Sequence, residues 1–407
     1  MVIFIKFNRI DDSLLLSKLQ VEVSILQEKK HLLMLPGPTN VSERVIQAMT
    51  KPIIGHRGSE FHALHGSILD NLRYVFQTKN DVFTLTASGT GGVDCAIGNI
   101  VNPGDKVIIP VFGRFSERMR DKIVRCGGKT VELSLGWSEA PTAEQIAQLA
   151  DKEKDAKAIA IVYNETSTGV TVRDLPKIGE IARENNLLLV VDAISVLGGD
   201  NLPMDEWNVD ICVAGSQKCL GCPPGLAMVV VNNRAWEVIE KAVARPYYFD
   251  LVRMRDFIAK IETPFTPAVS LFYALDEALK MIREEGLDKR FKRHATCAEA
   301  FYNAVGTLKL KTVSNGKVRS NTVIAVRMPS GVNNTELRKV MKEQHKITVA
   351  GGQGELKKSI IRIGCMGIIS ETETIRTIDA LENALNTLHY PVQVGAGVEA
   401  ARRVFHS

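Results

Sequence analysis

The chain has 407 residues, of which 45% are hydrophobic and 24% are charged, and this ordinary composition excludes a fibrous, collagenous or disordered protein. Lysine and arginine total 51 against 46 acids, and the charge of +5 is spread along the chain, so no basic face predicts a nucleic-acid partner. The longest apolar runs, such as 187–191, are far shorter than the roughly 20 residues of a membrane span, so no membrane segment is predicted.

The first 30 residues are predicted to be an N-terminal extension of unknown role. The segment 13–30 fits an amphipathic helix or a strand, and the extension is either a functional arm, a vector scar or a misplaced start. Its first dozen residues lack the small-residue cleavage site of a signal peptide, and the chain contains seven cysteines, an odd number. Both features predict a reducing, cytoplasmic location.

Seven short runs rich in Val and Ile predict strands, at 82–87, 106–111, 130–135, 158–163, 187–193, 210–215 and 226–232. Continuous apolar strands indicate burial on both faces, and helical stretches such as 174–186 lie between several of them. The pattern predicts an α/β fold with a mainly parallel seven-stranded sheet, in a large domain at 31–285.

After residue 232 the pattern changes to longer helices and shorter strands. Helices are predicted at 274–286, 288–305, 335–345 and 372–388, and strands at 309–313, 321–328, 346–351 and 359–364. We therefore expect a small C-terminal α+β domain at 286–407.

The strongest chemical feature is Lys218, which follows a predicted strand in the Gly- and Pro-rich segment 215–226. Ligands of open α/β sheets bind at the carboxyl ends of the strands. A lysine held and desolvated there has a lowered pKa and can act as an imine-forming nucleophile. The alternative is a surface lysine at a strand end.

A buried acid is predicted at Asp192, which ends the very apolar strand 187–193 at the same edge of the sheet. Such an acid needs a cationic partner, and the pyridinium nitrogen of pyridoxal phosphate, which the carboxylate keeps protonated, is one. A helix cap or a structural ion pair is the alternative.

A candidate phosphate site is the turn Ser88-Gly89-Thr90, which lies between a predicted strand and a predicted helix. Backbone N–H groups at a helix N-terminus bind phosphate, although such turns also serve packing alone. No metal site is predicted, because the pair Cys219 and Cys222 lacks a second ligand pair and is better explained by packing.

Taken together, these segments resemble the class V aminotransferases of pyridoxal-phosphate fold type I, and most closely their alanine–glyoxylate and serine–pyruvate aminotransferase branch. The similarity covers about 32–390, and the segments that carry it are LPGPTN (35–40), GHRGSEF (55–61), ASGTGGVD (87–94), NETSTGV (164–170), VVDAISVLGG (190–199), GSQKCLGCPPGL (215–226), TPFTP (263–267) and IRIGCMG (361–367).

The resemblance implies roles for individual residues. Lys218 would be the Schiff-base lysine and proton carrier, and Asp192 the partner of the pyridine nitrogen. The other residues implied to contact the cofactor or the substrate are Ser88, Gly89, Thr90 and Gln217 at the phosphate, Phe112, Thr166 and Ile194 around the ring, and Gly37 and Arg362 at the substrate carboxylate.

The resemblance also implies a homodimer with shared active sites, because the TPFTP segment completes the phosphate site of the neighbouring subunit. Thr266 is our choice there, with Thr263 as the alternative. The implied reaction moves an amino group from alanine or serine to glyoxylate or pyruvate, with pyridoxal phosphate as cofactor.

Two other functions remain open. A lyase or desulfurase of the same fold needs a thiol on a loop of the small domain, and no cysteine lies between Cys297 and Cys365. A non-catalytic binding subunit would be expected to lose Lys218, Asp192 or Arg362, and all three are present.

Overall fold

The computed structural model describes residues 31–406, and the predicted N-terminal extension therefore lies outside the described part. The strands, in chain order, are β1 (Leu32–Met34), β2 (Asp81–Thr86), β3 (Lys106–Val111), β4 (Lys129–Ser134), β5 (Ala156–Val162), β6 (Asn164–Glu165), β7 (Val170–Thr171), β8 (Leu188–Asp192), β9 (Ile211–Gly215), β10 (Leu226–Val231), β11 (Lys311–Thr312), β12 (Val323–Arg327), β13 (Ile347–Gly351) and β14 (Ile360–Gly364).

The helices of the described residues lie between these strands and after them. They are α1 (Glu43–Ala48), α2 (Ser59–Phe76), α3 (Gly89–Gly98), α4 (Arg114–Arg125), α5 (Ala143–Lys152), α6 (Leu175–Glu184), α7 (Asn233–Ile239), α8 (Leu251–Ile258), α9 (Val269–Glu285), α10 (Leu287–Thr307), α11 (Asn334–His345), α12 (Glu371–Thr387) and α13 (Ala396–Phe405).

The main sheet has seven strands in the order β2-β10-β9-β8-β5-β3-β4. Strands β9, β8, β5, β3 and β4 are parallel to one another, and only β10 runs antiparallel, between β2 and β9. The predicted α/β fold with a mainly parallel seven-stranded sheet is confirmed. Strands β8, β9 and β10 are buried along their whole length, as continuous apolar runs predict.

The exception among the seven strands is β4, at the edge of the sheet. Its residues are only partly covered or exposed, whereas β2 at the opposite edge is mostly buried. Its segment KTVELS alternates polar and apolar residues, which is the pattern of a strand with one solvated face.

The second sheet has five strands in the order β1-β13-β14-β12-β11. Strand β1 was not predicted, and it pairs parallel with β13 through Leu32 and Ile347. The other pairs are antiparallel. A separate hydrophobic cluster forms around this sheet and includes Leu32 and Met34 from the start of the described chain. The domain boundary at 285/286 stays a prediction.

Candidate active site

Five segments that carry predicted site residues meet at one edge of the main sheet. Strand β2 is antiparallel to β10, which is antiparallel to β9, so β2 runs in the same direction as β9, β8, β5 and β3. The carboxyl ends of all five strands therefore lie at the same edge. Turns after these strands carry the predicted residues, from Ser88 after β2 to Lys218 after β9.

Lys218 is buried, with a relative exposure of 9%. Its Nζ donates a hydrogen bond to the backbone carbonyl of Pro36, which belongs to the segment that follows β1. Burial lowers the pKa of the Lys218 amine to about 8. A fraction of the amine is therefore neutral near physiological pH, as a nucleophile and proton acceptor requires.

Gly37 lies directly against the side chain of Lys218. Its φ is +90°, and a Cβ at this position would lie 2.6 Å from Lys218 Nζ. Thr39, further along the same segment, donates from its backbone N–H to the Gln217 carbonyl at 3.2 Å. Glycine is required at position 37 because any side chain would displace the lysine.

Asp192 is the last residue of β8 and is also buried. One carboxylate oxygen accepts a hydrogen bond from the Ile194 N–H at 2.9 Å. Burial raises the pKa of this carboxyl group to about 7, with a smaller contribution from the charge of Glu165. No lysine or arginine of residues 31–406 forms an ion pair with it. A cation placed against Asp192 would lower this pKa and supply the missing partner.

The turn before α3 presents a helix N-terminus to the same site. Ser88 is the N-cap residue, and no side chain caps the first N–H groups of the helix. A Cβ at Gly89 would lie 2.7 Å from Ile194 Cδ1, so Ile194 packs directly on this turn. Gln217 adds a buried side-chain oxygen that has no hydrogen-bond partner within the described chain. The uncapped N–H groups suit an anionic group, whereas the Gln217 oxygen, which can only accept, would need a donor.

A cavity of about 230 Å³ joins these features. It contains seven of the predicted site residues, which are Ser88, Gly89, Thr90, Asp192, Ile194, Gln217 and Lys218. The remaining lining residues, which the sequence analysis did not identify, are Val93, Asp94, Phe115, Arg118, Met119 and Lys122.

Phe112 does not line this cavity. It follows β3 directly, its ring is fully buried, and its N–H donates to Ser116 Oγ at 3.0 Å as the chain turns into α4. The aromatic ring that does line the cavity belongs to Phe115, on the first turn of α4, with the guanidinium of Arg118 over it. A ring-stacking role for Phe112 stays a prediction, and Phe115 is a second candidate.

Arg362 lies in the middle of β14, between Ala325 of β12 and Ala350 of β13. Its Nε donates to the Gly351 carbonyl at 2.8 Å, and its Nη1 donates to the Thr166 carbonyl at 3.1 Å. Burial lowers the pKa of this guanidinium to about 10, so it remains charged near neutral pH. The two carbonyls fix the plane of the guanidinium and connect the second sheet to the turn that carries Thr166.

Glu165 is a fully buried acid that the sequence analysis missed. Its carboxylate accepts hydrogen bonds from the N–H groups of Phe115 and Ser116, at the start of α4, and from the Ser167 hydroxyl at 2.6 Å. An anion at a helix N-terminus is stabilised by the helix dipole. The only sequence signal was an acid two positions after the apolar strand at 158–163, beside the predicted Thr166.

The two candidate threonines of the TPFTP segment differ in their surroundings. The Thr263 hydroxyl donates to the Phe265 carbonyl at 2.8 Å, whereas Thr266 is exposed and its hydroxyl has no partner among residues 31–406. Arg57 donates to the Thr263 carbonyl and to the Glu262 carboxylate, both at 2.7 Å, and so fixes the start of the segment. Neither threonine lies in the cavity that contains Lys218.

Cys219 and Cys222 are buried, and burial raises the pKa of both thiols to about 12. Within the described range, no group of three or more His, Cys, Asp and Glu side chains is arranged to hold a metal ion. Over the same range, every helix is too short or too polar to cross a membrane. The cytoplasmic location stays a prediction.

Comparisons with known proteins agree over most of the chain. A family model described as aminotransferase class-V matches residues 31–376. An uncharacterized aminotransferase of Methanocaldococcus jannaschii is 40% identical over 377 residues, which cover 92% of this chain and 97% of that protein. A protein of Anabaena cylindrica named soluble hydrogenase 42 kDa subunit is 38% identical over 382 residues, which cover 93% of this chain and 99% of that protein. The crystal structure of an alanine–glyoxylate aminotransferase from Nostoc sp. matches with a TM-score of 0.84 and 33% identity. The match covers 87% of this chain and 95% of the Nostoc chain.

Proposed function

The chain belongs to the class V aminotransferase family, and from that premise we propose that it moves an amino group from a small amino acid, alanine or serine, to glyoxylate or pyruvate. It is an enzyme of the transaminase type, with the fold of pyridoxal-phosphate enzymes of fold type I. The observation that carries the proposal is the meeting of Lys218 and Asp192 in one cavity, beside an uncapped helix N-terminus. The Nostoc relative supports alanine and glyoxylate as substrates, and serine and pyruvate come from the resemblance of the motifs.

The family implies pyridoxal phosphate, and the residues of the cavity fit its three chemical parts. The uncapped N–H groups at the start of α3 suit the phosphate, and Gln217 would contribute through its side-chain NH2 group, since its oxygen can only accept. The buried, unpaired Asp192 suits a ring cation, and the buried Lys218 amine suits a covalent attachment to an aldehyde. When bound, pyridoxal phosphate supplies an electron sink that makes the α-proton of an amino acid removable.

Lys218 would carry the proton of the reaction. Its neutral amine accepts the α-proton of the amino acid, and the resulting ammonium returns a proton to the product. A pKa of about 8 allows both directions near neutral pH, because neither form of the amine is strongly favoured. The hydrogen bond to the Pro36 carbonyl gives the ammonium form an acceptor inside the site.

Arg362 would hold the carboxylate that amino-acid and oxo-acid substrates share. Nε and one N–H of Nη1 already donate to backbone carbonyls, and these two bonds fix the plane of the guanidinium. The second N–H of Nη1 and both N–H groups of Nη2 remain as donors in that plane. A planar guanidinium presents two parallel donors to a carboxylate. Gly37 would add backbone contacts, since its segment already lies against Lys218.

We propose that the enzyme is a homodimer in which Thr266 reaches the phosphate of the partner's site. The rings of Tyr247 and Tyr248 pack on Phe265, and both tyrosines are exposed. An exposed aromatic cluster next to an unpaired threonine is typical of a surface that a partner covers. Thr266 is preferred to Thr263, whose hydroxyl is already bonded within the segment.

A second candidate function is a non-catalytic subunit, which the name of the Anabaena relative favours. Such a role requires neither a desolvated lysine nor a buried acid without a partner, and this chain has both. Lyase or desulfurase chemistry, the other alternative, requires an accessible thiol. Cys297 and Cys365, the cysteines of the predicted small domain, are both buried.

A panel of donors and acceptors tests the proposal. Purified enzyme loaded with pyridoxal phosphate is mixed with one amino acid at a time, and the visible absorbance of the cofactor is followed in single turnover. We expect alanine and serine to convert the spectrum, and glyoxylate or pyruvate to restore it. A protein that binds no cofactor, or whose spectrum no amino acid changes, would instead support the subunit role.

A further inference from the structure

We propose that Arg290 is a positioning residue that holds together the three turns following Asp192, Lys218 and Arg362. The inference rests on the proposed function, because it concerns how these three side chains are kept in one arrangement. Arg290 lies in the first turns of α10, outside the cavity, and only 4% of its surface is exposed.

The guanidinium of Arg290 donates to backbone carbonyls on three separate turns. Nε donates to Gly198 at 2.9 Å, on the turn after β8. Nη2 donates to Cys219, the residue directly after Lys218, and makes a longer contact of 3.5 Å with Gly367, on the turn after β14. One buried side chain therefore bonds the turns after β8, β9 and β14, which lie beside Asp192, Lys218 and Arg362.

The turns also contact each other at the place where Arg290 joins them. Gly367 has a φ of +72°, and a Cβ on it would lie 3.5 Å from the Lys218 carbonyl and 3.4 Å from the Gly221 Cα. The backbone of the Arg362 turn is thus packed directly on the backbone of the Lys218 turn. A shift of either turn would change the distance between the amine and the guanidinium that the substrate must bridge.

The charge of Arg290 is balanced by Glu285, whose carboxylate accepts from Nη1 at 2.7 Å. The same carboxylate accepts from Arg293 at 2.6 Å, so two arginines share one acid. A guanidinium can satisfy one carboxylate and three carbonyls at once because its five donors lie in a fixed plane. A lysine at position 290 would keep the charge but could not reach all of these acceptors.

Arg293 provides a matched control. It shares Glu285 and donates to the carbonyls of Ile369 and Gly367, but it does not contact Cys219 or Gly198. An Arg293→Lys change therefore disturbs the same acid and the same turn after β14. It leaves the connections to the turns of Lys218 and Asp192 intact.

The test compares Arg290→Lys with Arg293→Lys in the cofactor-loaded enzyme. Two readouts distinguish positioning from stability: the pH midpoint of the resting absorbance, which depends on how Lys218 is held, and the separate kcat and KM of each half-reaction. For Arg290→Lys we expect a midpoint shift of about 0.5 pH unit or more, and a fall in kcat of roughly 10- to 100-fold with KM changed less than about threefold. Arg293→Lys should leave the midpoint unshifted and kcat within about twofold of wild type.

Equal effects of the two variants, or a change confined to thermal stability, would overturn the proposal. If Arg290→Lys does not fold, Gly367→Ala tests the contact between the Arg362 turn and the Lys218 turn while Arg290 stays intact. This variant should shift the pH midpoint. An unshifted midpoint overturns the proposal. The resting titration requires no turnover. A midpoint that shifts in an enzyme without transaminase activity would therefore refute the proposed function alone, whereas wild-type behaviour of Arg290→Lys in an active enzyme would refute the positioning role alone.

Discussion

Asp192 ends strand β8 and Lys218 follows the neighbouring parallel strand β9, and burial moves their pKa values in opposite directions, to about 7 and about 8. An acid and a base that both titrate near neutral pH, in one cavity, are typical of a catalytic site. Each has an assigned role that a substitution can test.

Lys218→Ala should abolish covalent attachment of pyridoxal phosphate and reduce transamination by several orders of magnitude, because the residue is both anchor and proton carrier. Borohydride reduction followed by peptide mass analysis measures the attachment. Lys122→Ala is the control, since Lys122 also lines the cavity but pairs with Asp94 at 2.6 Å. Turnover near wild type in Lys218→Ala would disprove the assignment.

Asp192→Asn should weaken cofactor binding and slow α-proton exchange by several orders of magnitude, because the cofactor ring loses its stabilising anion. Exchange of the alanine α-proton in deuterated water, followed by NMR, measures this step. Asp210→Asn is the control, because Asp210 is a buried acid directly before β9 that pairs with Arg234 instead. If Asp192→Asn changes binding but leaves the exchange rate unchanged, Asp192 is structural.

Asp192 should also make the stability of the cofactor-free protein depend on pH. Its carboxyl group has a pKa of about 7 in the folded chain against 3.8 ordinarily, so between these values the folded state binds the additional proton. The free energy of unfolding should therefore fall as pH rises from about 4 to 7, by at most about 1.4 kcal/mol per pH unit from this group. Urea unfolding at pH 5 and pH 7 measures the change. The decrease should be smaller in Asp192→Asn, and an equal decrease would contradict the burial of a protonated Asp192.

Thr266→Ala should weaken phosphate binding in the partner's site. The test is a mixed dimer of one Lys218→Ala subunit and one Thr266→Ala subunit. If Thr266 acts across the interface, the site that retains Lys218 also receives an intact Thr266, and it should bind cofactor with wild-type affinity. Thr263→Ala should cost stability without loss of cofactor affinity, because its hydroxyl bonds to the Phe265 carbonyl. A fully active monomer in sedimentation would refute the shared site.

Arg362→Lys should slow both half-reactions together, since both substrates carry the carboxylate that Arg362 would hold. Loss of a bidentate charged contact costs about 2–4 kcal/mol, a factor of roughly 30 to 1000 in kcat/KM, of which lysine should recover only part. The resting spectrum should not change. Arg327→Lys, on the neighbouring strand β12, is the control. Damage to one half-reaction only, or a changed resting spectrum, would make Arg362 a structural residue.

The strands of the main sheet could be predicted to within about two residues, because their continuous apolar runs end at polar turns. Strand β1 was missed because three residues carry no periodicity, and its pairing with β13 depends on residues more than 300 positions away. The antiparallel direction of β10 likewise depends on its pairing with the distant strand β2 and with β9. No residue pattern within LAMVVV distinguishes the two directions.

Within the site, Lys218, Asp192 and the Ser88–Thr90 turn could be placed together because the carboxyl ends of parallel strands share an edge. Glu165 and Arg290 could not be identified, because both act by hydrogen bonds to backbone groups of distant segments. No sequence motif marks such bonds. Phe112 and Phe115 could not be ranked from sequence, because the turn into α4 decides which ring reaches the cavity.

Transfer of a labelled amino group tests the central claim most directly. Cofactor-loaded enzyme is incubated with ¹⁵N-alanine or ¹⁵N-serine and unlabelled glyoxylate, and the products are measured by mass spectrometry. The account predicts ¹⁵N-glycine in amounts equal to the oxo acid formed from the donor, and no label transfer in Lys218→Ala. Cofactor-loaded enzyme that forms no labelled amino acid from glyoxylate or pyruvate would contradict it.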